Sequence, residues 1–177
     1  MMFFPPRPGE GAARDDVARA FPYGLGMDQD HPTAGRFAGR EHVLPVRVYY
    51  EDTDFTGVVY HANYVRYFER GRSDFLRLAG VSHTDLLERH DPAAFVVTRM
   101  EIDFKRPAKI DDALQVITTY DQAKGPRLQI SQRIMLGDVL IATAKVSAAC
   151  ISLDGKPRKP PPGLVDALRP WFCREEG

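Results

Sequence analysis

Between Tyr49 and Arg70 the chain reads YYEDTDFTGVVYHANYVRYFER. Two carboxylates (Asp52 and Asp54), a glycine (Gly57), a histidine (His61) and two tyrosines (Tyr60 and Tyr64) sit between a strand-like pattern and a helix-like one. A helix that starts here presents backbone N–H groups with no intrahelical partner. A carboxylate beside such groups supplies both a base and an anion-stabilising pocket, which acyl transfer needs. Asp54 can act in two ways, by activating a water as general base or by attacking a carbonyl to form an anhydride. The plainer alternative is a cap on the turn or the following helix. The roles are compatible, since a carboxylate near a helix N-terminus is favoured electrostatically. Asp52, two positions earlier, reads as a structural turn acid.

The neighbours divide between chemistry and packing. Gly57 lets the backbone turn tightly and approach a substrate. His61 offers a ring and a backbone N–H at the helix start. Tyr50 and Tyr64 have hydroxyls that could line a site, although aromatic residues at these spacings usually fill a core. Glu69 reads as an ion-pair partner of Arg66 or Arg72 at helical spacing. His31, His42, His83 and His90 show no ligand spacing and read as surface or structural. Two local basic clusters, Lys105-Arg106-Pro107-Ala108-Lys109 and Lys156-Pro157-Arg158-Lys159-Pro160, stand out as places that suit phosphate, against the reading as solvated loop charge. A glycine-rich phosphate loop is missing from the sequence, which argues against an ATP or dinucleotide site.

Elements must position these residues. HVLPVRVYY (42–50) alternates loosely, with Val46, Val48 and Tyr50 on one face, and reads as a first strand; Pro45 calls for an edge or a bulge. Tyr64, Tyr67, Phe68, Gly71, Phe75, Leu78 and Ala79 form an apolar stripe, predicting a helix over 63–79 with its charged residues mostly on the other side. Gly71 inside it costs about 1 kcal/mol against alanine, so close approach to a sheet is its expected role. Ser82 is the expected cap of a short helix through Arg89. Four strand patterns follow, with Val96, Thr98, Met100, Ile102 and Phe104 assigned to one face of the first. Lys124-Gly125-Pro126 and Gly137-Asp138 turn the last three into an antiparallel meander. A short helix is expected near Leu164–Leu168.

The chain has 177 residues, enough for one domain with a sizeable core. Its 24 basic and 24 acidic side chains leave no global field to draw nucleic acid or an anionic membrane. Two cysteines give neither a disulfide framework nor metal-ligand spacing, so no metal is expected and a reduced, cytoplasmic setting is. The apolar runs all fall short of the roughly 20 residues that span a bilayer. The opening residues lack a basic region ahead of an apolar one, which argues against a secretory signal. Residues 1–40, crowded with proline and glycine, read as a flexible extension, and residues 41–172 as the folded domain.

The order strand, D-x-D-x-x-G-V-V-Y-H-x-x-Y, long helix, four strands resembles the hotdog-fold thioesterases of the 4-hydroxybenzoyl-CoA thioesterase family, and within it the YbgC branch, often encoded beside the Tol-Pal envelope system. VRVYYEDTDFTGVVYHANYVRYFERGRSDFLR and RMEIDFKRPAKIDDALQV carry the resemblance, which covers roughly residues 42–160. It implies an α+β fold, a five-stranded antiparallel sheet wrapped around one long helix. It implies hydrolysis of acyl-CoA thioesters to free acid and coenzyme A, with no cofactor apart from the coenzyme A of the substrate. Asp54 matches the catalytic aspartate. Tyr50 and His61 match the residues that accompany it, and the backbone N–H of His61 lies where the family holds the thioester oxygen. Gly57, Val59, Tyr60 and Tyr64 are then expected to line the substrate, and Lys105, Arg106, Arg158 and Lys159 to meet the coenzyme A phosphates. Homodimers with sites at the subunit interface, and homotetramers built from them, are the implied assemblies. Acyl carrier protein stays open as an alternative carrier of the acyl group. So does a non-catalytic acyl-carrier or envelope-linked interaction module, with residues 1–40 recruiting a partner.

Overall fold

The apolar stripe folds into one long helix, α1 (His61–Leu78), with Tyr64, Tyr67, Phe68, Gly71 and Phe75 buried. The computed structural model describes residues 34–161 and 163–173. Among them α1 packs on an antiparallel sheet of six strands: β1 (Arg36–Ala38), β2 (Glu41–Arg47), β3 (Ala94–Phe104), β4 (Ala113–Lys124), β5 (Arg127–Leu136) and β6 (Val139–Ile151). Their order across the sheet is β1-β2-β4-β5-β6-β3. Two short helices complete the fold, α2 (His83–Leu87), where the Ser82 hydroxyl accepts the Asp85 N–H, and α3 (Leu164–Leu168).

The sheet is one strand wider than the five expected. The added strand comes from the segment read as an extension, whose first 33 residues lie outside the described residues. Three residues rarely hold a strand alone; here the Phe37 ring stacks on Trp171 with centroids 3.7 Å apart and meets Phe75 edge-on at 5.1 Å. Pro45 falls beyond Val43, the last β2 residue paired to β1, so it occupies a stretch of true edge. The first strand also stops at Arg47, and Tyr50 opens a 3-10 turn (Tyr50–Asp52) instead of continuing the face of Val46 and Val48.

Two further expectations change for local reasons. The β3–β6 register skips Thr98, with Val97 opposite Ala148 and Arg99 opposite Ser147. One extra residue reverses the parity of a strand. Phe95 and Val97 therefore share a face with Met100, Ile102 and Phe104, while Val96 lies on the other. Within α1, Arg72 and Asp74 are buried instead of facing solvent. Arg72 donates to Gln132 Oε1 at 2.9 Å and to Glu69 Oε2 at 2.7 Å. Asp74 accepts from His42 Nε2 at 2.8 Å and from the Gly35 N–H at 2.7 Å. Buried charges survive when paired in this way. His42 is fully buried, and desolvation lowers its pKa against the pull of Asp74, so the ring is neutral at pH 7.

Gly71 does what its position suggested. A Cβ there would lie 2.8 Å from Thr118 Oγ1 and 2.9 Å from Val116 Cγ1, both on β4. Gly71→Ala should therefore destabilise the fold by about 1–3 kcal/mol, despite alanine's higher helix propensity. Chemical denaturation measures the sign; stabilisation would mean that α1 does not approach the sheet so closely.

Candidate active site

The motif forms a tight hairpin-like turn in front of α1. Thr53 bridges to Val59, the Asp54 N–H donates to Val58 O at 3.0 Å, and the Gly57 N–H donates to Asp54 O at 3.0 Å. Gly57 has φ of +79°, a conformation that favours glycine. Asp54 Oδ1 accepts from the Thr56 N–H at 2.8 Å and from Thr56 Oγ1 at 2.5 Å. The side-chain bond, then the backbone bond, lowers the Asp54 pKa below its ordinary value of 3.8. The carboxylate is thus ionised at neutral pH and aimed by its own turn. Asp52 takes the turn role read from the sequence, its Oδ2 accepting the Tyr49 N–H at 2.9 Å.

The turn is fastened to the rest of the fold on two sides. The Asp52 carbonyl accepts the Tyr60 N–H at 2.9 Å and Asn63 Nδ2 at 2.8 Å. On the other side, the Val59 N–H donates to Ala108 O at 2.8 Å, and the Ala108 N–H donates to Tyr64 Oη at 3.0 Å. Burial raises the Tyr64 pKa against the opposing pull of that hydrogen bond, with Asp112 adding to the rise, so its hydroxyl stays protonated. Tyr60 is the N-cap of α1 and makes no side-chain cap bond. Among the described residues the N–H groups of His61 and Ala62 have no acceptor, as expected at a helix start, while the Asn63 N–H turns back to Tyr60 O at 2.8 Å.

A cleft of about 290 Å³ gathers Val59, His61 and Tyr64 on one side and Phe104, Lys105 and Arg106 on the other. Five of the expected site residues thus meet in one place. Asp54, Gly57 and Tyr60 belong to the turn that leads into this wall, without lining it. Tyr60 lays its ring 4.4 Å from that of His61. Tyr50 is 83% exposed and touches the turn only through its backbone carbonyl, which accepts from Thr53. Arg158 and Lys159 are not part of this cleft. Arg158 holds Asp91 with both terminal nitrogens and donates to Pro92 O at 3.2 Å. It follows β6 near Ile151, which pairs with Ala94, whereas the cleft lies beside Phe104, which pairs with Ala142. Ten residues of strand separate these ends, roughly 33 Å. Within one chain the two basic clusters cannot share a phosphate.

A roomier cleft of about 510 Å³ lies between β2 and the far flank of α1, lined by Arg47, Arg70 and Arg77. Its one carboxylate, Asp74, is already committed to His42 and Gly35. The smaller cleft is therefore the better site, because His61 at the start of α1 and two cations line it and the Asp54 turn leads into its wall.

Comparison with known proteins settles the lineage. The profile of the thioesterase-like superfamily matches residues 48–172. The chain belongs to that superfamily. The thioesterase is 45% identical over 110 residues to a Haemophilus influenzae protein named acyl-CoA thioesterase YbgC, covering 62% of this chain and 80% of that one. It is 42% identical to the Escherichia coli protein named acyl-CoA thioester hydrolase YbgC, covering 68% and 90%. A probable thioesterase from Bartonella henselae superposes with a TM-score of 0.66 at 46% identity, over 68% of this chain and 99% of that one. A 1,4-dihydroxy-2-naphthoyl-CoA thioesterase from Synechocystis superposes with a TM-score of 0.67 at 26% identity, over 73% and 96%. The hotdog architecture expected from the motif is thereby established.

Sequence reasoning missed Asn63, Phe104 and Ala108. Asn63 carried one legible signal, a polar residue on the flank of the apolar stripe. Phe104 and Ala108 reach the turn through sheet topology, which one strand pattern does not reveal. The Asp54 carboxyl titration supplies a direct check on the turn. Thr56→Val should move its pKa up towards the ordinary value, read by ¹³C NMR on labelled aspartate. An unchanged titration would remove the Thr56 hydroxyl as the cause of the depression.

Proposed function

We propose that this thioesterase hydrolyses acyl-CoA thioesters to free acid and coenzyme A, using Asp54 as the reacting carboxylate and the His61 backbone N–H as oxyanion donor. What carries the reading is an ionised, turn-held Asp54 one short hairpin away from an open helix N-terminus that walls a cleft with two cations. The relatives named for acyl-CoA thioester hydrolysis support the substrate class.

In this scheme an oxygen adds to the thioester carbonyl, charge develops on the carbonyl oxygen, and collapse of the tetrahedral species breaks the C–S bond. The leaving thiolate takes up a proton. Helix N-terminal N–H groups stabilise such developing charge without reorganisation. Asp54 can supply the attacking oxygen itself, forming an anhydride that water then cleaves to release the acid and restore the carboxylate, or it can draw a proton from a water that attacks directly. Lys105 and Arg106 line the cleft, and in this reading they meet the coenzyme A phosphates.

A homodimer is the proposed assembly, and β3 supports it. β3 is an 11-residue strand at the sheet edge with Val97 47% and Phe104 52% exposed. A long apolar edge is a template for pairing. A homodimer with two β3 edges antiparallel would set the Phe104 end of one copy beside the Ala94 end of the other, bringing the second basic cluster towards the cleft. Two unpaired cysteines, one buried, fit a reducing cytoplasm. No helix among the described residues is long and apolar enough to cross a membrane.

The test is thiol release from acyl-CoAs of graded length, including an aromatic acyl group, by the wild type and Asp54→Asn. Loss of the carboxylate should lower kcat by about 10²–10⁴-fold while acyl-CoA still binds. A folded Asp54→Asn variant with full turnover would take the aspartate out of the chemistry.

A further inference from the structure

We infer that Asn63 is a positioning residue for the reaction, holding the Asp54 turn in register with the start of α1 through the backbone of Asp52. The inference rests on the role of Asp54 proposed above.

Asn63 sits in the first turn of α1 and is only 6% exposed. Its side-chain amide donates at 2.8 Å to the Asp52 carbonyl, and the same oxygen accepts the Tyr60 N–H at 2.9 Å. Tyr60 is the N-cap, so its N–H belongs to the residue just before His61. One carbonyl oxygen therefore joins three things: the entry to the Asp54 turn, the exit from that turn and the body of the helix. The two lone pairs of that oxygen are both used.

The entry side is locked as well. Asp52 is buried, and its carboxylate accepts the Tyr49 N–H at 2.9 Å, closing the 3-10 turn. Tyr67, one helical turn beyond Asn63, is fully buried. Burial first, and the Asp52 carboxylate second, push its hydroxyl pKa up, so the ring stays neutral against Asp52. Asp54 itself hydrogen-bonds only within its own turn, to Thr56, Val58 and Gly57. Nothing in that local set relates Asp54 to the helix. The Asn63 amide does, together with the Tyr60 N–H on the same side and the Val59–Ala108–Tyr64 bonds on the other. A turn freed from α1 would keep its shape and its ionised carboxylate yet lose its distance to the His61 N–H. A misplacement of about 1 Å between reacting groups can cost about a hundredfold in rate.

The experiment compares Asn63→Asp, Asn63→Ser and Asn63→Ala, each alone and combined with Asp54→Asn. Aspartate keeps the shape but loses the donor when ionised, and serine keeps a shorter donor. With Asp54 present, kcat should fall about ten- to a hundredfold in Asn63→Asp, with KM changed less than about threefold, and Asn63→Ser should recover part of it. In the Asp54→Asn background the same substitution should have little further effect, because the group it positions is gone. The Tyr60 amide should exchange its hydrogen faster in Asn63→Asp while the β4 and β5 amides keep their protection. Unchanged kcat, or an equal loss in both backgrounds, overturns the positioning role. Should the aspartate variant not fold, equal kcat in folded Asn63→Ser and Asn63→Ala overturns it too. Full turnover in Asp54→Asn alone would instead overturn the reading of Asp54 on which the inference rests.

Discussion

The close approach of α1 to the sheet is the constraint on which the rest depends. Gly71 faces Val116 and Thr118 with no room for a methyl group. Nearby, Gln132 links the helix to the sheet by donating to Phe68 O at 2.9 Å and to Thr118 Oγ1 at 2.8 Å. Packing without voids leaves a helix little freedom to slide. Its N-terminus is then fixed in space, and the open N–H groups of His61 and Ala62 are fixed with it. The proposed chemistry requires this, because a donor aimed at developing charge helps only where it is already in place.

The Asp54 turn is an appendage to that frame. It has its own local order, and its attachment runs through few bonds: Asp52 O to Tyr60 and Asn63, and Ala108 to Val59 and Tyr64. A motif of mixed acids, glycine and tyrosines thus separates into two tasks. Asp54, Thr56 and Gly57 shape and charge the turn. Asp52, Asn63 and Tyr64 hold it against the helix and the strand-end loop.

Much of this was legible in the sequence, for reasons that are local. The α1 stripe, the need for glycine at 71, the Ser82 cap and the two meander turns each depend on residues within one or two turns of chain. What escaped is long-range. β1 exists because Phe37 finds Trp171, more than a hundred residues away. Arg72 and Asp74 are buried because Gln132 and His42 wait on distant strands. The bulge at Thr98 reverses half a strand without any glycine or proline to mark it. Lys105 and Arg158 look equivalent as basic clusters, yet the β3–β6 ladder sets them at opposite ends. Tyr50 was legible as a residue of the motif but not as an exposed one, since its strand ends three residues earlier.

The central claim is that the start of α1 stabilises the oxyanion through backbone. His61 occupies the first helical position, after Tyr60 in extended conformation with ψ of 134°. Proline is well tolerated at that position and after an extended residue, yet it has no N–H. The most direct measurement is therefore acyl-CoA turnover by His61→Pro beside His61→Ala. The account predicts a modest effect for alanine, which keeps the N–H, and a loss of about 10²–10³ in kcat for proline in a protein that still folds. A folded His61→Pro enzyme that turns over as fast as His61→Ala would contradict it.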